Sequence, residues 1–237
     1  MPKYVQLNNI EHKNFRIKTE RSAALGDNVM AAPVFPHEFR ETQAYYPIVF
    51  TKEQSGRFRP VAIFGLEQGE NLFLHEGGWD SRYLPLAKRM EPFVIGLNTD
   101  SLGEQMMEVH IDPEHPRVSH EEGEALFLEE GGYTEFLSGV SETLAEVHEA
   151  EQSLAGFLAM LSDLDLLEPF TLDIQLDDGS SGRLEGFYIL AEEKLYSLGA
   201  GQLEGLQRSG FLQPLFMAVA SLSQFVNLID RKNKAIS

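Results

Sequence analysis

Prolines decide where this chain can be helical. Pro33, Pro36, Pro47, Pro60, Pro85, Pro92, Pro113 and Pro116 punctuate the stretch up to about Glu130, and because each lacks an amide donor and clashes with the preceding turn, no long helix fits between them. Short strands, loops and short helices must build that part. Tyr46-Pro47-Ile48-Val49-Phe50 and Pro60-Val61-Ala62-Ile63-Phe64-Gly65-Leu66 are β-branched and aromatic, with a polar turn containing Ser55-Gly56 between them. They predict an antiparallel hairpin whose prolines sit at strand starts, where no ladder donor is lost. Phe93 to Leu97 and Met106 to Ile111 predict two more strands.

From about residue 131 the period changes. Leu137, Val140, Leu144, Val147, Leu154, Leu158 and Leu161 recur at three-and-four spacing, interrupted once at Glu151, which predicts a long amphipathic helix from Thr134 to about Leu161. Such a stripe can pair two copies as a homodimer seam, but Glu151 would be costly in an extended seam, so internal packing is the preferred reading. Phe170 to Leu176 and Arg183 to Leu190, joined by Asp177-Asp178-Gly179-Ser180-Ser181-Gly182, predict a second hairpin with one wet face. Phe211 to Ile229 carries no charged residue, and Leu212, Leu215, Val219, Leu222, Val226 and Ile229 fall on one stripe. One apolar stripe describes a core helix, whereas a membrane span must be apolar all round, so no transmembrane segment is expected. The fold class is therefore α+β: an N-terminal antiparallel β-rich part with short helices, and a C-terminal part of two long helices packed on a β-hairpin. Both parts are expected in one domain covering residues 1–237.

The chain has 19 Lys plus Arg against 37 Asp plus Glu, a formal charge of -18, which disfavours sequence-independent binding to nucleic acid. It has no cysteine, so disulfides, thiolate metal sites and cysteine nucleophiles are excluded. Met1 to Ile10 contains no apolar run of secretory length, and the chain as written reads as cytoplasmic.

The most unusual segment surrounds the sole tryptophan: Glu70-Asn71-Leu72-Phe73, then Gly77-Gly78-Trp79-Asp80-Ser81-Arg82-Tyr83-Leu84-Pro85, closing on Pro92-Phe93. These residues, together with His12 before Phe15-Arg16-Ile17, Tyr46-Pro47-Ile48-Val49-Phe50, Leu184-Glu185-Gly186-Phe187 and Gly210-Phe211-Leu212, resemble the bacterial SapC family over nearly the whole chain. The sequence departs from that pattern at Met90-Glu91, where the family has an aromatic before Pro-Phe. The resemblance implies association with surface-layer loci and with outer-membrane receptor genes. It brings no established chemistry.

Paired glycines allow positive φ or close backbone approach, Trp79 offers a large flat face, and Arg82 and Arg89 can meet an anion or pair with Glu70. If Ser81 to Met90 is helical, the two arginines share one face. Trp79, Arg82, Tyr83, Arg89, Glu70, Asn71 and Tyr46 are the candidate binding residues, and a packed core tryptophan is the competing reading. His110 and Asp112 have the spacing of two facial-triad ligands, without a convincing distal histidine. The stretch around them reads better as a solvated acidic loop. No cofactor motif is present: the phosphate-binding and dinucleotide glycine patterns are missing from the sequence. The expected function is noncatalytic binding or accessory recognition of a peptide, glycan or partner protein. The alternative is a metal-dependent oxygenase or hydrolase using His110 and Asp112.

Overall fold

The computed structural model describes residues 3–99 and 105–236. Strands β1 (Val5–Gln6) and β2 (Arg16–Ile17) precede β3 (Ala31–Pro33) and the one-turn helix α1 (Phe39–Thr42). The first predicted hairpin is β4 (Ile48–Lys52) with β5 (Phe58–Ile63), in register with Val49 opposite Val61 and Phe50 opposite Pro60. A small hairpin, β6 (Leu74–His75) and β7 (Gly78–Trp79), is followed by the one-turn helix α2 (Leu86–Arg89). The other predicted strands are β8 (Phe93–Thr99) and β9 (Gln105–Ile111), and two short strands follow, β10 (Val118–Ser119) and β11 (Glu124–Ala125).

Helix α3 (Glu135–Asp163) matches the long three-four period. It starts where Thr134 Oγ1 accepts the Leu137 amide at 3.2 Å and donates to the Ala125 carbonyl at 2.7 Å, so the cap also ties the helix to the preceding strand. The helix runs through Glu151 without a break, because that side chain points outward and pairs with Arg59 at 2.9 Å. Beyond it lie β12 (Leu167–Gln175), β13 (Ser181–Leu190), α4 (Glu192–Tyr196), α5 (Ala200–Arg208), α6 (Leu212–Ser221) and α7 (Gln224–Ile236).

The predicted second hairpin does more than receive helices. Phe187 and Tyr188 of β13 pair with Thr51 and Phe50 of β4, which makes an antiparallel five-stranded sheet in the order β12-β13-β4-β5-β3. Ile48, Val49 and Phe50 are all buried, so the centre of this sheet is covered on both faces. Two smaller sheets, β1-β9-β8 and β10-β2-β11, stand beside it. The apolar side chains form two clusters, and α3 belongs to both: Leu137, Val140 and Leu144 pack with Phe15, Phe93 and Ile111, whereas Leu154, Phe157 and Leu161 join the larger core over the five-stranded sheet.

The predicted C-terminal helix is two helices, interrupted after Ser221. The interruption rotates the buried stripe, leaving Val226 63% exposed while Phe225 and Leu228 turn inward. The stretch Leu212–Ile236 is long and apolar enough to cross a membrane by length and composition, yet Leu215, Ala218, Phe225 and Leu228 line the larger core. Ser221 fixes the break. Its buried Oγ donates to the Ala218 carbonyl at 2.6 Å and accepts the Ile48 amide at 2.8 Å, so a helix end satisfies the first amide of a central strand. Ser221→Ala leaves that amide without an acceptor and is expected to cost about 1–3 kcal/mol. Urea denaturation measures it, and an unchanged midpoint contradicts the role.

Candidate functional site

The segment between β5 and α2 departs from the sheet through a close approach. A Cβ on Gly65 would stand 2.4 Å from the Glu70 carbonyl, so only glycine lets the chain fold back there. Glu70 then closes the loop: Oε2 accepts the Leu66 amide at 2.8 Å and Oε1 binds Lys232 of α7 at 2.6 Å. The expected pairing of Glu70 with Arg82 or Arg89 is replaced by this lysine, which the sequence places 162 residues away. Asn71 is buried, donating to the Asp27 carbonyl at 2.8 Å and accepting the Phe73 amide at 3.0 Å. Arg231, beside Lys232 on α7, lies over the Phe73 ring at 4.2 Å and binds Asp80 at 3.0 Å.

The β6–β7 hairpin turns at Gly78, whose φ of 102 suits glycine and few other residues, and presents Trp79 opposite Leu74. Trp79 is partly buried. Its indole N–H donates to Tyr46 Oη at 2.9 Å, and Phe64 meets the ring edge-on at 5.0 Å. Tyr46 in turn donates to the Tyr83 carbonyl at 2.6 Å, and burial pushes the Tyr46 phenol up to about 12. Tyr83 Oη donates to Glu38 Oε1 at 2.6 Å, and Glu38 also accepts the amides of Leu86 at 2.8 Å and Phe35 at 3.0 Å. Burial raises the Glu38 carboxyl above its ordinary value, and these donors only partly offset the shift. The indole is thus held at the end of a relay that reaches the interior.

A second network lies behind it. Asp27, fully buried, receives Arg117 Nη2 at 2.6 Å, the Ser22 amide at 2.9 Å and Arg21 Nη1 at 3.3 Å, with Lys88 Nζ at 3.6 Å. Arg117 also donates to the carbonyls of Lys18 and Glu20, and Lys88 pairs with Glu91. These contacts fix the Thr19–Ser22 stretch opposite the Trp79 hairpin. Between them opens a cleft of about 520 Å³, walled by Trp79, Gly77 and Gly78 on one side and by Glu20, Arg21 and Ser22 on the other.

The seven expected binding residues therefore divide. Trp79 lines the cleft, whereas Arg82 is exposed and is not part of its lining, which includes its neighbour Ser81. Tyr46 and Asn71 are interior, Glu70 closes its own loop, and Tyr83 holds Glu38, so these four shape the site through the residues they fix. Helix α2 covers only Leu86–Arg89, so Arg82 and Arg89 do not share a helical face, and Arg89 lies instead 4.0 Å from Glu146 of α3. Arg21, Ser22 and Asp27 carry no local motif. Their importance comes from contacts with Lys88 and Arg117, far away in sequence.

The metal reading of His110 and Asp112 finds no support: among the described residues no group of three potential ligands is placed to hold an ion. His110 packs over Gly96 with Glu108 at 3.7 Å, and Asp112 accepts the Glu114 amide.

The family model described as SapC matches residues 7–228 of the 237-residue chain. Neither the curated proteins nor the solved structures contain a match to it.

Removing the Asp27 charge strands buried cations, so Asp27→Asn is expected to destabilise the fold by about 3–5 kcal/mol; a smaller loss on chemical denaturation would mean that the cations find other partners. Glu38 gives a pH dependence of opposite sense to that of a salt-bridged acid. Because its folded value is raised, the folded state holds the proton more tightly, and stability falls as pH climbs from the ordinary carboxylate value to the folded one. Denaturation midpoints of Glu38→Gln, followed from about pH 4 to 7, are expected to lose that downward component. An identical slope in both proteins would contradict the linkage.

Proposed function

The chain belongs to the SapC family, and from that premise we propose that it is a noncatalytic binding or accessory protein whose Trp79 cleft recognises a peptide, glycan or partner protein. The observation that carries this reading is the mounting of Trp79. A packed indole would also hydrogen-bond its N–H, but it would leave no open cleft on its free side, as this one does. Here the ring is partly exposed yet fixed through Tyr46 and Phe64, which lowers the ordering cost of binding. Aromatic side chains so fixed, next to an arginine, are the usual energetic centres of recognition surfaces. Arg21 supplies the arginine, with Glu20 and Ser22 as polar rim. The association with surface-layer and outer-membrane receptor genes implied by the resemblance directs the search for a ligand to envelope proteins and glycans.

Trp79 is the only tryptophan, so its emission reports the site directly. Titration with peptide and glycan libraries is expected to shift the emission and to shield the ring from acrylamide. Trp79→Ala is expected to abolish capture of the ligand so identified, and Arg82→Ala to weaken it. Equal affinity of a Trp79→Ala protein shown to be folded by its thermal transition would sink the proposal.

A further inference from the structure

Helix α1, the middle of α3 and the start of α6 meet around a cavity of about 320 Å³, within the size range of small-molecule sites. Its walls are anchored on one buried ring. Phe157 of α3 meets Phe39 of α1 edge-on at 5.9 Å and Phe211, just before α6, edge-on at 5.3 Å, so both walls are pinned to the core. Gly210 makes the turn into the second wall with a φ of 77, and the Leu206 carbonyl holds the Phe211 amide at 2.9 Å. A cavity held in this way needs little ordering before it binds.

Its polar groups are unlike those of the Trp79 cleft, which carries Glu20 and Glu76. Arg40, Ser153, Ser209 and Gln213 face this cavity, and no carboxylate lines it. Ser209 Oγ is spent on the Leu206 carbonyl at 3.0 Å. The Arg40 guanidinium, the Ser153 hydroxyl and the Gln213 carboxamide have no hydrogen bond and no ion pair among the described residues, whereas arginines elsewhere, such as Arg59, Arg183 and Arg231, each reach a carboxylate. His37 closes the rim one turn before Arg40, with Nε2 directed to Glu146 at 3.4 Å; Arg89 lies 4.0 Å from the other oxygen of Glu146, so that carboxylate is engaged with other partners. A guanidinium, a hydroxyl and a carboxamide with unspent donors, converging on one space that holds no counter-charge, suit an oxyanion. Phe211, Pro214 and Met217 give the same space an apolar side. The formal charge of -18 repels anions at long range, so saturable attraction of one has to come from groups placed like these.

We propose that this cavity binds a small organic oxyanion on a short apolar body, with Arg40 as its principal donor, Ser153 and Gln213 as flanking donors, and the body against Phe211, Pro214 and Met217. The chemistry is shared by phosphate esters and by carboxylic acids. The site has no residue in common with the Trp79 cleft, and its test does not depend on that reading.

Isothermal titration with phenyl phosphate, with benzoate and with neutral benzamide decides the matter. Saturable binding of either anion, but not of benzamide, is the expected result, and the tighter anion identifies a phosphate or a carboxylate source. Arg40 is exposed and its guanidinium holds nothing else in place, so Arg40→Gln is expected to keep its thermal transition and to weaken the anion by about tenfold or more. Ser153→Ala is expected to weaken it by about threefold. Arg183→Gln removes an equal charge from the β12–β13 hairpin, outside this cavity, and is expected to leave the affinity unchanged. Absence of saturable anion binding, equal binding of benzamide, wild-type affinity in the folded Arg40→Gln variant, or an equal loss in Arg183→Gln overturns the proposal. If Arg40→Gln is unfolded, wild-type affinity in Ser153→Ala does the same.

Discussion

The buried carboxylate of Asp27 is the point on which the loops around the Trp79 cleft are assembled. It gathers Arg21, Lys88 and Arg117 from three separate stretches of chain, and its own carbonyl holds Asn71 from a fourth. Ion pairs of this kind do little for net stability, because desolvation offsets most of the Coulomb attraction. Their geometric demand is strict, however, since any arrangement that separates the partners leaves a charge in the interior. The network therefore acts mainly by selecting one arrangement of loops that have little regular structure of their own. It also ties a surface to the interior: Arg21 lines the Trp79 cleft, Lys88 is buried, and both lean on the same carboxylate.

The regular elements were legible because their signals are local. Prolines confined the first half to short elements, the period from Leu137 to Leu161 gave α3, and both hairpins followed from apolar runs flanking turn residues. The failures were tertiary. Nothing in Phe187-Tyr188 announces that its strand will pair with β4, and nothing near Ser221 reveals that its hydroxyl will cap a strand 173 residues earlier and rotate the last helix. At the cleft, the Trp79 segment was visible as an unusual composition. Its opposite wall was not, because Arg21 and Ser22 acquire their places only through Asp27, and Glu70 found its cation on α7. Residues that act through one long-range contact leave no spacing to read.

Burial removes charges of both signs from the surface. Arg117 and Lys88 are almost wholly enclosed, but so are Asp27, Glu38 and Asp112, so the balance facing solvent stays strongly acidic. The external field is negative, and it draws cationic groups toward the protein. Against that background, the arginine beside Trp79 is a local positive feature in an acidic surround.

The clamp of Arg231 and Lys232 on the Phe73–Asp80 loop sets an order of events during synthesis. A chain emerges from its N-terminus, and early elements fold before later ones exist. The hairpins around β4 and β6 are made long before α7, yet the loop that carries Trp79 has its outer contacts only when α7 has docked. Until then that segment rests on its inner contacts with Tyr46 and Phe64. The cleft is therefore among the last features to mature, and a chain ending before α7 would keep Trp79 on Tyr46 and Phe64 while the Phe73–Asp80 loop around it lacked its outer clamp.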